Sequence, residues 1–471
     1  MSDFGKVTPK FVEELEKIVG SNSVVYKDKE ALESYSRDET GGEYYSHMPD
    51  VVVKPENADQ ISKIVKLANF ERIPITPRGA GSGLAGAAVP IYGGIVISFE
   101  KMNRILEIDR TNLVAVVEPG VVTNDLCRKV SEVGLYYAGY PMSVETSFIG
   151  GNVATNAGGS KVIKYGNTAH HVLGLEVILP NGEKIRFGGK RRKDSSGYDL
   201  TRLMVGSEGT LAVFTQIYLN LIPQPGKSVD LLAPFKDIST AISNVATLMT
   251  ESKTLPSALE FIDDVSVVLG SKYNNVTLPF QEKAGAYLII QYEGRDIAEL
   301  EDIYEKAGKA LLDGGAMDVF VADNRTNSEK IWRIRRNWLE GIKAFEPHTP
   351  TGDVVVPTSE IPRIMEYIRK VSQEYNVQIP VAGHVADGNL HPAPMKPENL
   401  PLEEWKDLSE EILSRIAVKA SQLGGAVSGE HGIGFVKKEL LKQTKAKQYE
   451  IMRSLKNSID PNGIMNPGKL F

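Results

Sequence analysis

In the stretch Gly383-His384-Val385-Ala386-Asp387-Gly388-Asn389-Leu390-His391, two imidazoles flank an Asp-Gly pair. Asp-Gly is the two-residue loop preferred by a type I′ hairpin, and a hairpin centred there sets His384 directly opposite His391. Directly opposed residues share a face, with Cβ atoms about 5 Å apart. Val385 and Leu390 then oppose each other on the other face, toward a core. Two imidazoles on a rigid ribbon suit a divalent metal ion. Paired strand histidines can equally be partly buried polar residues held by hydrogen bonds. A second cluster, Ser428-Gly429-Glu430-His431-Gly432-Ile433-Gly434, adds a carboxylate and a further imidazole between glycines that permit close approach. The chain has only seven histidines, so these stretches take a large share of its imidazole chemistry.

Three glycine-rich loops point to a different ligand. Gly81-Ser82-Gly83-Leu84-Ala85-Gly86 matches the dinucleotide fingerprint literally. That fingerprint needs a helix directly after the loop, whereas Val89-Pro90 and Tyr92-Gly93-Gly94 follow here, so a Rossmann NAD site is rejected. Glycines packed this densely between Gly79 and Gly86 expose a row of backbone N–H groups able to cradle an anion, with Arg78 and Ser82 as added donors. The alternative is a tight structural turn. Gly150-Gly151-Asn152 with Ala157-Gly158-Gly159, and Gly206-Ser207-Glu208-Gly209, would each alone be ordinary turns. Together in one N-terminal domain they suggest a large, flat ligand with a diphosphate, a description that fits a flavin dinucleotide.

Elements must position these loops. Thr8-Pro9 opens a helix as N-cap and N1, with Phe11, Val12, Leu15, Ile18 and Val19 on one face and Gly20 at its end. Asn57 caps a second helix carrying Ile61, Ile64, Val65 and Ala68. Strands are expected at Arg72–Thr76, Ile95–Phe99, Leu113–Glu118 and Ile217–Ile222. Pro223-Gln224-Pro225-Gly226 marks a domain boundary. Beyond it, helical patterns at Ala298–Leu312, Glu360–Tyr375 and Glu403–Leu423 alternate with strands at Gly285–Tyr292 and Val354–Val356. This mixed order predicts an α+β domain.

Composition bounds the function. A chain of 471 residues calls for two or three domains. A net charge of −6 and no long basic run argue against nucleic acid. The single cysteine, Cys127, excludes a disulfide framework and a protein-held iron–sulfur cluster, and suits a reducing compartment. Residues 1–6 show no basic segment before an apolar run, so no signal peptide is expected, and no stretch reaches the length of a membrane span. A cytoplasmic location follows as the expectation, with peripheral membrane contact left open.

Pro77-Arg78-Gly79-Ala80-Gly81-Ser82-Gly83-Leu84 resembles the pyrophosphate loop of FAD proteins of the vanillyl-alcohol-oxidase/p-cresol-methylhydroxylase (PCMH) type. Within that group the chain resembles the D-2-hydroxyacid dehydrogenases: glycolate oxidase FAD subunits, D-lactate dehydrogenases and D-2-hydroxyglutarate dehydrogenases. The motifs running from Gly150 to Gly159, from Val205 to Leu211, from Gly383 to His391 and from Gly429 to Gly434, with Asn466-Pro467-Gly468, occur in the family's order over nearly the whole chain. The resemblance implies an α+β fold: a two-lobed FAD-binding domain over 1–223, an α+β cap with an antiparallel sheet over 224–424, and a segment from 425 to 471 returning to the flavin. It assigns Pro77 to Leu84, Pro141, Thr146, Gly150, Gly151, Asn152, Ala157, Gly158, Gly159, Tyr165, Gly206, Glu208, Gly209 and Asn466 to FAD. Some relatives attach the flavin through a histidine in or near the pyrophosphate loop; this loop has none, so the expectation is non-covalent FAD.

The resemblance also implies chemistry. His384, His391 and Glu430 would hold a divalent metal, with zinc the first choice, that polarises the hydroxyl of a 2-hydroxy acid. His431 is the candidate base, Asn389 a substrate-orienting residue, and Arg335 the substrate-carboxylate cation by its spacing from Trp332. A run such as Arg333-Ile334-Arg335-Arg336 is otherwise a solvated face. Relatives often carry a lysine shortly before the segment corresponding to Asp353-Val354-Val355-Val356-Pro357. Here that position holds His348-Thr349-Pro350-Thr351-Gly352, which favours lactate or glycolate over a dicarboxylate. Electrons must leave for a separate protein, a quinone or a partner subunit, and a homodimer is compatible. The rivals are an alkyl-dihydroxyacetone-phosphate synthase-like flavoenzyme, a metal-dependent hydrolase with structural glycine loops, and a structural flavin subunit of a larger complex.

Overall fold

Local chemistry sets the helix ends in the computed structural model, which describes residues 4–41, 45–322 and 324–471. Met1–Asp3, part of the stretch read for a signal peptide, lie outside the described residues. Thr8 accepts the Phe11 N–H and starts the helix Pro9–Val19, whose buried residues are Phe11, Val12, Leu15 and Val19. Such a cap contributes about 1 kcal/mol. Asn57 accepts the Gln60 N–H at the head of Ala58–Glu71, which buries Ile61, Ile64, Val65 and Ala68. The chain divides into two units, Met1–Gly158 with Asn167–Gln224 and Glu430–Phe471, and Gly159–Gly166 with Pro225–Gly429.

Among the described residues the first unit has two larger sheets with separate cores and a two-stranded one that pairs Leu135–Tyr136 with Ile222–Pro223. One of the larger sheets is four-stranded, in the order Val24–Tyr26, Val51–Val53, Ile95–Ser98, Ile75–Arg78, with its last two pairings parallel. Ile75–Arg78 is an edge strand, and the C-terminal segment covers it: Ile75 donates to the Ile464 carbonyl at 2.8 Å and Asn466 to the Ile75 carbonyl at 2.7 Å. Unpaired edges invite foreign strands, so a covered edge protects the fold. The other larger sheet is five-stranded and antiparallel, in the order Ile105–Asp109, Val114–Val117, Val213–Asn220, Val172–Ile178, Lys184–Gly188. No helix follows the loop after Arg78; the next elements are the strands from Ile95.

The second unit is built on a seven-stranded antiparallel sheet. Its order is Phe320–Ala322, Lys227–Phe235, Ala286–Gly294, Ala258–Asp263, Val381–His384, Asn389–Pro392, Val354–Val355. Leu232, Ala258, Ile262, Tyr287, Ile289 and Ala382 pack against Trp332, Ile334 and Trp338 from helices Arg325–Arg336 and Trp338–Lys343. The helical patterns read from sequence appear as Ile297–Asp313, Ile361–Tyr375 and Leu402–Gln422. Helices with antiparallel sheets make the α+β class.

The hairpin differs from its expected register. His384 pairs with Asn389 and Ala382 with His391, so the turn holds four residues, Val385–Gly388, rather than two. The cause lies beside the turn. The Val356 N–H donates to the Gly388 carbonyl at 3.1 Å, and a Cβ on Gly388 would lie 1.9 Å from the Val356 oxygen. With φ +81°, Gly388 is spent on that close approach. The register has slipped by two residues, an even number, so the face of each histidine is unchanged. Val385 sits in the turn, fully buried, and Leu390 faces Gly383 instead.

Candidate functional site

In the second unit the two imidazoles lie diagonally on one face of the sheet, ring centroids 5.6 Å apart and 3% and 5% exposed. Trp338 packs 6.4 Å from the His391 ring. Glu260, fully buried, stands directly across from His384 on the neighbouring strand. Its Oε1 lies 2.6 Å from His384 Nδ1 and its Oε2 2.7 Å from Arg335 Nε. The arginine run therefore splits: Arg333 and Arg336 are exposed, while Arg335 joins the buried face of its helix. Arg335 Nη2 is buried and has no hydrogen-bond partner among the described residues. The sequence reading missed Glu260, although a lone carboxylate in Ala258-Leu259-Glu260-Phe261-Ile262 was a signal.

Asn389 has a structural task. Its amide donates to Asp353 Oδ1 at 2.8 Å and to the Val354 carbonyl at 3.1 Å. With both amide hydrogens engaged, substrate orientation is not carried by them. Asp353 Oδ2 in turn accepts from Ser428 Oγ at 2.6 Å and the Gly429 N–H at 2.9 Å. A buried carboxylate missed in sequence thus fixes the backbone directly before Glu430. Tyr165, assigned to the cofactor, gives its hydroxyl to the Glu293 carboxylate, which Lys161 also meets.

In the first unit the glycine motifs converge. Glu208, buried and at φ +52°, accepts the N–H groups of Ile433 and Gly434, both at 2.7 Å. Burial raises its pKa; the two N–H donors and the charges of Lys437 and Lys469 oppose this. A Cβ on Gly434, at φ +52°, would lie 1.7 Å from the Ala85 oxygen, so only glycine allows this segment against the Gly79–Gly86 loop. Asn466 joins the same assembly, its amide donating to the carbonyls of Ala87 at 2.9 Å and Glu208 at 2.6 Å. Neither Glu208 nor the Asn466 amide was read this way in sequence, where both were cofactor contacts.

Arg78 is also redirected. Its Nη1 donates to the Arg37 carbonyl at 2.7 Å and its Nη2 to that of Ser34 at 3.3 Å. The guanidinium therefore braces the loop, and the loop's own backbone is left to meet an anion. Gly81 to Leu84 are half-buried, Ala80 is exposed, and Gly209 packs against Pro77. Gly79 lies against Gly151, and Gly150 against Pro119. Asn152, buried, donates to Thr123 Oγ1 at 2.8 Å beneath the helix Ile149–Thr155. Gly206 is half-buried, Pro141, Ala157, Gly158 and Gly159 are buried, and Thr146 is exposed. Lys469, 1% exposed, has no hydrogen-bond partner for its Nζ among the described residues. Burial pushes its pKa down to about 7 against the pull of Glu208 and Asp38. An accessible glycine loop and an unsatisfied buried ammonium in the same unit fit a diphosphate-bearing cofactor. Likewise, two buried imidazoles, one tied to a carboxylate through Nδ1, fit a divalent cation.

Comparison with known proteins bears on both units. Residues 49–188 match the family "FAD binding domain", and residues 224–470 match "FAD linked oxidases, C-terminal domain". The chain is 39% identical to the glycolate oxidase subunit GlcD of Bacillus subtilis over 93% of its length and 92% of that protein's. It is 37% identical to a D-lactate dehydrogenase of Anaerostipes hadrus over 99% and 98%. Among solved structures it resembles p-cresol methylhydroxylase (TM-score 0.81, 17% identity, 98% of this chain and 97% of that one). It also resembles alkyldihydroxyacetonephosphate synthase (0.77, 20%, 99% and 86%). At these identities the structural likeness speaks for a PCMH-type fold. Among the described residues no helix is long and apolar enough to cross a membrane.

Proposed function

Because the chain belongs to the FAD-linked D-2-hydroxyacid dehydrogenases, we propose that it oxidises a small D-2-hydroxy acid, D-lactate or glycolate, to the 2-oxo acid. The reaction removes a hydroxyl proton and, from the same carbon, a hydride. When bound, non-covalent FAD supplies the two-electron acceptor, and a divalent cation, zinc by preference, supplies Lewis-acid polarisation of the hydroxyl. His384, His391 and Glu430 are the cation's ligands. His431 takes the hydroxyl proton. Arg335 meets the substrate carboxylate, and its unpartnered Nη2 beside the Glu260–His384 pair is the observation that carries this reading. A buried donor left unsatisfied costs about 1–3 kcal/mol, which an anionic ligand would recover. The electrons then pass to a separate protein, a quinone or a partner subunit.

The test is optical and elemental. D-lactate or glycolate, added without acceptor, should bleach the visible flavin absorbance of the purified enzyme, while acid precipitation should release the flavin into solution. Glu430→Gln should lose bound metal and bleaching together; retention of both ends its role as a ligand. Failure of every 2-hydroxy acid to bleach bound flavin would favour the synthase-like alternative. The hydrolase alternative has lost its ground, since the first two glycine loops fall within residues matched to the FAD binding domain.

A further inference from the structure

We propose that Glu260 is a positioning residue, holding the His384 imidazole in the one tautomer and orientation that can ligate a divalent cation. The inference rests on the metal-assisted reading above. Glu260 sits mid-strand in Ala258–Asp263, directly opposite His384 on the adjacent antiparallel strand, so the two side chains share a face by construction. A carboxylate accepts and does not donate. At 2.6 Å from Oε1, His384 Nδ1 must therefore carry its hydrogen. In the neutral ring the lone pair then belongs to Nε2, and that nitrogen alone can bind a cation. Ligating histidines commonly donate their second nitrogen to a carboxylate, and loss of the partner weakens metal binding about 10–100-fold.

Arg335 completes the device. A fully buried carboxylate is costly unless an opposite charge meets it, and Arg335 Nε does so at Oε2, 2.7 Å away. One carboxylate thus divides its two oxygens between an imidazole and a guanidinium. The bland alternative makes Glu260 merely the counter-ion of Arg335, with His384 indifferent to it. Gln at 260 separates the two roles, because its amide can also donate to Nδ1 and so permits the other tautomer.

FAD-loaded protein stripped of metal would be titrated with Zn2+ against a chromophoric chelator. Wild type, Glu260→Gln and the double variant Glu260→Gln/Arg335→Met would be compared, the double variant leaving no unpaired buried cation. Zinc binding weaker by about 10–100-fold in both variants is expected, with FAD content and melting temperature of the double variant close to wild type. Wild-type zinc affinity in the folded double variant overturns the inference and leaves the metal reading intact. Absence of zinc binding by wild type overturns the metal reading and the inference with it. The native chain offers a check that needs no folded variant at 260. Ring 15N shifts of histidine-labelled, zinc-free protein, with the His384 signal assigned by its loss in His384→Asn, should show hydrogen on Nδ1. Hydrogen on Nε2 in the neutral ring overturns the proposal.

Discussion

Arg335 and Lys469 are both cations withdrawn from water, at 5% and 1% exposure, yet the two units treat them differently. In the second unit the fully buried Glu260 answers Arg335 at 2.7 Å. Asp263, three residues further along that strand, is satisfied by the N–H groups of Ser266 at 2.8 Å and Val381 at 2.9 Å. In the first unit, Lys456 is met fully from within, reaching the Thr210 and Met465 carbonyls and the Asp460 carboxylate. Lys469, on the same C-terminal segment, reaches none among the described residues, although Glu208 and Asp38 act on it through space. The second unit thus answers the charge of Arg335 from within and leaves only its Nη2 open, whereas Lys469 has no hydrogen-bond partner among the described residues and is the place we propose for a charged ligand.

The largest expected effect tests the pairing of Arg335 with Glu260. Arg335→Met alone leaves Glu260 as a buried anion without its counter-charge. Breaking such a pair costs about 3–5 kcal/mol, readable as a shift in the chemical denaturation midpoint. A loss under about 1 kcal/mol, the scale of exposed pairs, would mean that the Glu260–Arg335 contact is not a buried ion pair in solution.

Asp263→Asn should have a smaller effect with a pH signature. Burial raises the Asp263 pKa to about 7, against the pull of its hydrogen-bond donors. A carboxyl group whose folded pKa exceeds its unfolded value favours the folded state most at low pH. Its contribution is lost as pH rises from about 4 to about 7. Asparagine has one oxygen where aspartate has two, so one of the two backbone N–H groups loses its acceptor, at a cost of about 1–3 kcal/mol. The variant should also lack the decline in stability across that window. A wild-type stability that is flat from pH 4 to 7 would refute the raised pKa.

Legibility in sequence followed the range of the interactions. Helix starts at Thr8 and Asn57 were readable because a cap and its N–H lie three residues apart. The face shared by His384 and His391 was readable because strand periodicity survives an even slip. The register itself was not, because Val356, on the segment leading out of another strand, claims Gly388. Glu260 was overlooked because its partner His384 lies 124 residues away, joined to it only by sheet order. Arg78 and Asn389 were assigned to ligands because their types suit ligands; their actual partners are backbone carbonyls and Asp353. Glu208 was placed in the right motif, but its two acceptor bonds to Ile433 and Gly434 span 225 and 226 residues.

Lys469 gives the sharpest test of the contrast. Its folded pKa of about 7 lies below the unfolded lysine value near 10.4. Between those values the FAD-free native state holds fewer protons than the unfolded chain. Stability of the FAD-free protein should therefore rise with pH across that window, and Lys469→Met should remove the rise. The methionine variant, free of a desolvated ammonium, should be the more stable of the two FAD-free proteins at pH 7 and below. With FAD the order should change. An ammonium answered by an anionic group of the cofactor contributes about 1.5–3 kcal/mol, so Lys469→Met should bind FAD at least about tenfold more weakly. Fluorescence titration of the deflavinated protein reads that constant directly. Equal FAD affinity in the two proteins would return Lys469 to Glu208 and Asp38 as part of an internal framework, and the difference between the units would disappear.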